Sequence, residues 1–330
     1  MKLFSRIVCA FLLVSILLTG CAPVASSGNE TTAPTEAPAP EFTYTPKENV
    51  KNILMIGNSF CYYFVEELAG VAKAAGYDIN VYNLYYSGRK TKEHYIRLTS
   101  DQTADYDLYK TTSTGRTKVK SKCTIKDALG AANWDVITLQ EHFNPSKADL
   151  YATAKTDTID NAKLIFDYLK QNHPNADLLW HQTWAYEVGY KLDDTSNANR
   201  MADVERQTRN YENMKKVSQE ICKANDVAII PAGDAWAVAR ANPALGQTLC
   251  ERYASGKYNN DHYHDGESGG QYLNACVWFE VLFGKSCIGN TFAPQAGGKL
   301  EAPMTAERIQ ALQQAAHEAV AALYGANYAK

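Results

Sequence analysis

Ser59 is the first residue of this sequence whose position suits a nucleophile. It follows the apolar run 52–56 and Gly57, which together have the length and composition of a buried parallel strand. A helical pattern begins near Tyr62, so the backbone N–H of Ser59 would lie near a helix N-terminus, where negative charge is favourable. A serine that attacks a carbonyl group and stabilises the resulting oxyanion needs both features. Serine is also a common helix N-cap, and position alone favours that structural interpretation.

Asp261 and His264 could supply the two partners that a nucleophilic serine requires. They lie late in the chain in the polar segment Asp261-His262-Tyr263-His264. The serine needs an imidazole base, and the imidazole needs a carboxylate that holds its tautomer. An Asp three residues before a His could provide both groups from one short turn. A solvated polar loop has the same composition, so the pattern does not decide the matter by itself.

The same segment offers an alternative, because its side chains could also bind a metal ion. Asp261, His262, His264 and Asp265 carry the oxygen and nitrogen donors that zinc accepts. No other His-rich segment completes such a site in the sequence. We therefore rank a metal centre below a serine triad, and we expect neither a metal nor another cofactor.

Strands and helices must alternate along the chain to bring these distant residues together. Apolar runs predict strands over 52–56, 79–84, 135–139, 177–184 and 227–230. Helical patterns cover 62–75, 150–172, 204–224, 270–283 and 305–324, and the polar segment 101–124 predicts a hairpin. This alternation favours a three-layer α/β/α fold with a mostly parallel, flavodoxin-like sheet of about five strands. Reactive groups in such sheets gather at the carboxyl ends of the strands.

Four blocks in this order resemble the SGNH (GDSL-like) hydrolase superfamily. They are Ile56-Gly57-Asn58-Ser59-Phe60, Tyr86-Ser87-Gly88, the segment 134–141 and Asp261-His262-Tyr263-His264. Within the superfamily, the match is to a bacterial lipoprotein branch catalogued as a domain of unknown function. That branch also commonly shows the segments found here at 181–186 and 278–286. The resemblance therefore runs from about residue 51 to residue 290.

The resemblance implies ester hydrolysis through an acyl-enzyme intermediate. Ser59 would attack the carbonyl carbon, and His264 would take its proton and later donate it to the leaving alcohol. Asp261 would orient His264.

The resemblance also implies an oxyanion hole that has one uncertain member in this chain. The oxyanion would lie among the backbone N–H groups of Ser59 and Gly88 and one side-chain amide. The superfamily takes this amide from an Asn in the third block, where this chain has Gln140-Glu141. Gln140 is one methylene longer and could still donate. Asn144 is the second candidate.

We expect Asn58, His181 and Trp184 to line the substrate pocket. Asn58 precedes the serine, and the other two follow the fourth predicted strand, whose carboxyl end should face the crevice. The structural alternative places Trp184 in the core and leaves His181 hydrogen-bonded beneath the sheet.

The N-terminal segment predicts export and lipid anchoring. A short basic region and the apolar run 7–18 match a signal peptide. Leu18-Thr19-Gly20-Cys21 resembles the lipobox of bacterial lipoproteins, so residues 1–20 would be removed and Cys21 lipidated. Residues 21–47 are rich in Pro, Thr and Ala and predict a disordered tether. The hydrolase domain then spans 48–330, attached to the cell membrane only through the lipid and facing the extracytoplasmic side.

Composition adds little to the choice of function. A net charge of −3, with 45% hydrophobic and 21% charged residues, is ordinary for a globular protein and gives no case for nucleic-acid binding. Six cysteines follow the predicted anchor, at positions 61, 123, 222, 250, 276 and 287. An exported compartment permits disulfides, but no connectivity follows from their spacing.

These observations predict an extracytoplasmic serine esterase that removes acyl groups, acetyl above all, from carbohydrate. The partner would be an acylated carbohydrate or another small ester. This substrate class rests on the predicted location and on the family. The alternatives are an O-acyltransferase, a non-catalytic glycan-binding lipoprotein and a metal-dependent hydrolase.

Overall fold

A seven-stranded sheet lies at the centre of the structure, which is a computed structural model. Its strands are β1 (Asn52–Gly57), β2 (Asn80–Tyr85), β3 (Tyr106–Thr112), β4 (Gly115–Cys123), β5 (Val136–Gln140), β6 (Asp177–His181) and β7 (Ala228–Ile230). Their order across the sheet is β4-β3-β2-β1-β5-β6-β7. The five strands β2-β1-β5-β6-β7 are parallel and have the flavodoxin-like order, which confirms the predicted fold class.

The predicted strand number was too low because the polar hairpin joins the sheet. β3 pairs antiparallel with β2, and β4 pairs antiparallel with β3. β4 alternates Thr, Lys, Val and Ser and is exposed along most of its length. Because an edge strand needs apolar residues on one face at most, the polar sequence of β4 did not identify it as a strand of the sheet.

Helices cover both faces of the sheet. They are α1 (Val65–Ala74), α2 (Thr91–Thr99), α3 (Ile125–Leu129), α4 (Asp160–Asn172), α5 (Val204–Asn225), α6 (Ala232–Ala241), α7 (Gly270–Phe283) and α8 (Ala306–Tyr324). One group packs together from α1, α6, α7 and α8, and the other from α2, α3, α4 and α5. Every residue of α7 is buried, and its sequence is mostly apolar with three buried polar side chains, Gln271, Asn274 and Glu280.

The structure describes residues 42–100, 102–142, 154–188, 203–246, 249–250, 264–294, 300 and 302–330. The predicted signal peptide, Cys21 and nearly all of the predicted tether lie outside these ranges, and so do Asp261, His262 and Asn144. Within them, no helix is long and apolar enough to cross a membrane. The six cysteines of the body are buried free thiols.

The order of the parallel strands creates the crevice in which the candidate site lies. The strand order reverses between β1 and β5, which are direct neighbours in the sheet. In open α/β sheets, ligands bind beyond the carboxyl ends of the two strands at such a reversal. Ser59 follows β1, and Gln140 ends β5. Asn58 and Gln140, which are 82 positions apart in the chain, therefore meet at one edge of the sheet.

Candidate active site

Ser59 lies at the start of a single 3-10 turn (Ser59–Cys61) directly after β1. The N-cap of this turn is Asn58, whose side-chain oxygen accepts a hydrogen bond from the backbone N–H of Phe60. The capping interpretation of the serine is therefore wrong, because its neighbour does the capping. The Ser59 side chain does not cap this turn. The residue is 8% exposed.

The structure brings Ser59 and His264 together across 205 residues of sequence. The Ser59 Oγ lies 2.7 Å from His264 Nε2. The imidazole is held between two aromatic rings, with Tyr63 edge-on at 4.9 Å and Phe60 tilted at 5.5 Å between ring centroids. A serine hydroxyl bonded to an imidazole nitrogen at this distance is the pair that general-base activation requires.

Asp265 anchors the His264 segment to the body of the fold. Its carboxylate is 1% exposed and accepts a hydrogen bond of 3.2 Å from the side-chain amide of Asn274 in α7. The oxygen of the same amide accepts a hydrogen bond of 2.8 Å from Trp236 Nε1. In the metal alternative Asp265 was a ligand, but here its carboxylate is directed toward a helix.

The other members of the predicted triad and of the metal alternative lie outside the described residues. Asp261 and His262 belong to that group, so the carboxylate partner of His264 stays a prediction. Among the residues that the structure describes, no group of three or more potential metal-binding side chains is assembled.

Two backbone donors at the site are available to a bound oxyanion. Neither the N–H of Ser59 nor the N–H of Gly88 donates a hydrogen bond within the described residues. Gly88 follows β2 and has a φ of +67°, which a residue with a Cβ adopts only with strain. Glycine is thus required at this position by the backbone itself.

The loop that carries Gly88 is fixed by the next residue. Arg89 is 5% exposed and forms two parallel hydrogen bonds of 2.8 Å with the carboxylate of Asp105. Its guanidinium also lies 3.6 Å from the ring centroid of Tyr86. The pKa of Asp105 is lowered, chiefly by the hydrogen bonds from Arg89. A bidentate pair in this half-buried setting holds the Gly88 N–H in a defined place.

Asn58 connects the three segments of the site through one fully buried amide. Its Oδ1 accepts from the Phe60 N–H at 3.1 Å and from Gln140 Nε2 at 3.0 Å. Its Nδ2 donates to the carbonyl oxygen of Arg89 at 2.9 Å and lies 2.9 Å from His142 Nδ1. All the hydrogen-bonding capacity of the amide is therefore used inside the protein. The prediction that Asn58 lines the substrate pocket was wrong.

Gln140 is also part of the buried framework, which argues against its predicted role as the third oxyanion donor. It is 1% exposed, and its Oε1 accepts from the backbone N–H of Asn58 at 3.0 Å while its Nε2 bonds the side chain of the same residue. A Cβ at residue 57 would collide with this amide, so Gly57 allows the close approach. The extra methylene of Gln140 serves this pairing. Asn144, the second candidate, lies outside the described residues.

The comparisons with known proteins agree with this fold. A family model described as "Domain of unknown function (DUF4886)" matches residues 52–319. The chain belongs to the DUF4886 family. The match includes both Ser59 and His264, and it confirms the predicted branch that is catalogued as a domain of unknown function.

Solved structures similar to this DUF4886 protein include a family member from Bacteroides uniformis. That protein is 24% identical, with a TM-score of 0.65 over 84% of this chain and 96% of its own. A GDSL-like lipase from Bacteroides thetaiotaomicron is 12% identical, with a TM-score of 0.39 over 70% and 87% of the two chains. An acetyl xylan esterase is 15% identical, with a TM-score of 0.40 over 70% and 99%. No curated protein matches the chain. The first of these structures shows that the fold is shared within the family.

The β6 end of the DUF4886 fold does not line the crevice as predicted. His181 and Trp184 are both fully buried. Trp184 stacks on Trp236 at 4.5 Å, and His181 packs edge-on against Phe64 at 5.6 Å and Trp278 at 5.2 Å. The structural alternative, with both side chains in the core, is therefore confirmed for burial. Its hydrogen bond to His181 is not found within the described residues.

His142 is the residue of the site that sequence reasoning missed. It follows β5 directly, its ring stacks on Phe60 at 5.6 Å, and its side chain keeps 16% of its surface exposed. Burial lowers its pKa to about 4, with smaller contributions from Lys90 and His264. The signal was present in the sequence, because a His two residues beyond Gln140 lies at the carboxyl end of a predicted strand at the strand-order reversal.

Glu141 lies between Gln140 and His142 in the sequence, and its carboxylate is directed toward the start of α2. Its Oε2 accepts a hydrogen bond of 2.7 Å from the backbone N–H of Thr91 at the start of α2. Burial raises its pKa to about 7, against the effect of this hydrogen bond. Its Oε1 lies 3.5 Å from His142 Nδ1. Glu141 thus ties the end of β5 to α2.

Proposed function

We propose that this protein is a serine esterase in which Ser59 is the nucleophile and His264 the general base. The observation that carries the proposal is the 2.7 Å contact between Ser59 Oγ and His264 Nε2. Two unengaged backbone N–H groups at Ser59 and Gly88 support it, because an ester carbonyl oxygen becomes an oxyanion when it is attacked.

The reaction follows from this geometry in two halves. His264 Nε2 takes the Ser59 proton as Oγ bonds to the carbonyl carbon, and the carbonyl electron pair moves onto oxygen. The oxyanion then reforms the double bond, the alcohol leaves with the proton from His264, and an acyl group remains on Ser59. Water, activated by the same imidazole, releases the acid and restores the hydroxyl.

We further propose that the alcohol side of the ester is a carbohydrate. Tyr62, Tyr63, Tyr85 and Tyr109 are partly exposed and contact one another at centroid distances of 4.7–6.2 Å. Tyr63 also touches His264, so this cluster begins at the reacting atoms. Tyrosine presents an apolar ring and a polar hydroxyl together, which suits the mixed surface of a sugar. The predicted lipid anchor and tether would place such an enzyme outside the cytoplasm.

A fluorophosphonate probe tests the catalytic proposal. The soluble body, residues 42–330, is treated with the probe with and without a chelator, beside a Ser59→Ala variant. We expect one label per chain, located on Ser59, lost in the variant and unchanged by chelator. An unlabelled wild type that binds glycans would favour the binding lipoprotein instead. Ester turnover that stops with chelator alone would favour the metal-dependent hydrolase.

The carbohydrate proposal has a separate test that leaves the catalytic one intact. Tyr62→Ala is compared with wild type on an acetylated xylo-oligosaccharide and on p-nitrophenyl acetate. We expect the KM for the oligosaccharide to rise by about fivefold, because a lost stacking contact is worth about 1 kcal/mol, while the small ester is little affected. Equal effects on both substrates would contradict a sugar subsite at the tyrosine cluster. Transfer of acetate to an added sugar, rather than to water, would identify an acyltransferase.

A further inference from the structure

We propose that the neutral imidazole of His142 is the third oxyanion donor, through its Nε2–H. The inference rests on the proposed esterase function and adds a catalytic residue to it. It assigns the role predicted for Gln140, whose buried amide bonds Asn58, to a side chain of the same strand end.

The hydrogen bonds of Asn58 define the tautomer of His142. The Asn58 amide can have only one orientation, since its Oδ1 accepts from the backbone N–H of Phe60 and its Nδ2 donates to the carbonyl oxygen of Arg89. The second hydrogen on Nδ2 then points at His142 Nδ1, 2.9 Å away. Nδ1 must therefore accept and carry no proton. A neutral imidazole with an unprotonated Nδ1 has its hydrogen on Nε2.

The imidazole is held in this neutral form at neutral pH. A protonated ring would place an Nδ1–H against the Asn58 N–H, and burial already lowers the pKa of His142 to about 4. The nearby Glu141 oxygen, at 3.5 Å, would favour protonation, but burial raises the pKa of that carboxyl to about 7 and so reduces its negative charge at neutral pH.

The contacts of the ring lead us to place Nε2 at the crevice. His142 touches the residues on both sides of Ser59, with Nδ1 against Asn58 and the ring face stacked on Phe60 at 5.6 Å. Phe60 also contacts the ring of His264, so the two imidazoles border the same aromatic side chain. Nε2 is on the ring edge opposite Asn58. It has no hydrogen bond within the described residues, and the side chain is 16% exposed.

The chemistry needs a donor that stays in place as charge develops. When Ser59 Oγ bonds to the carbonyl carbon, the displaced electron pair resides on oxygen, which accepts hydrogen bonds from Ser59 N–H, Gly88 N–H and His142 Nε2–H. No proton is transferred to it. A donor already fixed by Asn58 and Phe60 requires no reorganisation at that moment, and loss of one such donor typically lowers kcat by about 10²–10³-fold.

Two substitutions distinguish donation from support of Asn58. In His142→Asn the amide oxygen can reach the Nδ1 position and accept from Asn58, but no donor remains at Nε2. In His142→Gln the longer side chain brings an amide N–H to the Nε2 position. For p-nitrophenyl acetate we expect kcat to fall about 10²–10³-fold in the Asn variant with KM within about threefold, and to fall by less than about tenfold in the Gln variant. Affinity for a boronic acid that forms the tetrahedral adduct should follow kcat.

The opposite pattern would overturn the proposal. An Asn variant with nearly normal kcat, or one more active than the Gln variant, would mean that His142 only supports Asn58. A lowered kcat with unchanged boronic acid affinity would have the same meaning. Melting temperatures identify any variant that fails to fold, and the other then decides. If the wild type does not acylate Ser59 at all, the proposed esterase function itself is wrong. If the wild type does acylate Ser59 and the variants show the opposite pattern, only the role of His142 is wrong.

Discussion

The ends of β5 and β6 are neighbours in the sheet and each carries a histidine, yet their surroundings differ. His142 bonds Asn58, stacks on Phe60 and keeps part of its surface exposed. His181 is fully buried among aromatic rings, with no hydrogen-bond partner in the described part of the chain. Burial lowers the pKa of both, to about 4 and about 3. A lowered histidine pKa therefore does not distinguish a functional residue from a core residue here.

The difference follows from the position of each strand relative to the reversal of strand order. β5 adjoins β1 at the reversal, where helices depart to opposite faces and leave a crevice. β6 lies one strand further out, and α7 contributes Trp278 to cover its end. A position at the carboxyl end of a strand is thus not enough to place a residue in the crevice, because the neighbouring helices must also leave that end open.

The largest contrast is expected between two buried amides, Asn58 after β1 at the strand-order reversal and Gln182 after β6. Asn58→Ala removes the bonds that hold the Gly88 loop and His142, so we expect kcat on p-nitrophenyl acetate to fall by 10²-fold or more, roughly the loss of one oxyanion donor or greater. Gln182→Ala removes a 3.0 Å bond to Asp234 beside β6 and should lower the melting temperature with little change in kcat. Similar losses of kcat in both variants would contradict the distinction between the two ends.

A smaller contrast is expected between two glycines with left-handed backbone conformations. Gly88 has φ +67° and Gly76 has φ +91°, and an added Cβ would meet nothing within 4 Å at either position. Each alanine variant should therefore lose about 1 kcal/mol of unfolding free energy through backbone strain alone. Only Gly88→Ala should also lower kcat, by about tenfold, because relaxation of the strained backbone would displace the N–H that we propose as an oxyanion donor. Denaturant unfolding and steady-state kinetics on the pair measure both quantities.

Gly76 serves as the control for strain in that experiment, since it lies between α1 and the amino end of β2, whereas the crevice lies at the carboxyl ends of the strands. If both variants lose stability equally and neither loses kcat, strain at residue 88 does not displace an N–H that the reaction needs.

The smallest effect on activity is expected from His181→Leu. The substitution removes a buried ring whose nitrogens have no hydrogen-bond partner among the described residues, so unfolding free energy should rise by about 1 kcal/mol at pH 7. Because the pKa of His181 falls from 6.5 to about 3 on folding, its contribution to wild-type stability is present above pH 6.5 and lost as pH falls toward 3. The leucine variant lacks this loss, so its advantage should grow between pH 7 and pH 5. Chemical denaturation at the two pH values tests this, and a drop in esterase activity would contradict the core role.

The sequence predicted much of the fold because its elements have strong local patterns. The sequence prediction placed four elements within a residue or two. They are the apolar strands β1, β5 and β7 and the mostly apolar helix α7. The helices α2, α3 and α6 were missed. α3 has only five residues, and α6 is rich in alanine, so neither shows a distinct periodicity.

The site was only partly predictable, for a different physical reason. Ser59 and His264 could be paired because the chemistry demands an imidazole for a serine. The roles of Asn58, Gln140 and His142 depend on which hydrogen bonds the buried amides make. Residue type reveals the capacity of an amide to bond, while only the assembled strand ends show which partner it has.

Acylation of Ser59 with His264 as its base can be measured directly by rapid-quench mass spectrometry. Wild type and His264→Ala are mixed with p-nitrophenyl acetate, quenched in acid and digested. We predict that the wild-type peptide containing Ser59 gains one acetyl group during the first turnover, and that the variant acquires it at least about 10³-fold more slowly. Ester hydrolysis by wild type with no acetyl group on the Ser59 peptide, or equal acetylation in the variant, would contradict the account.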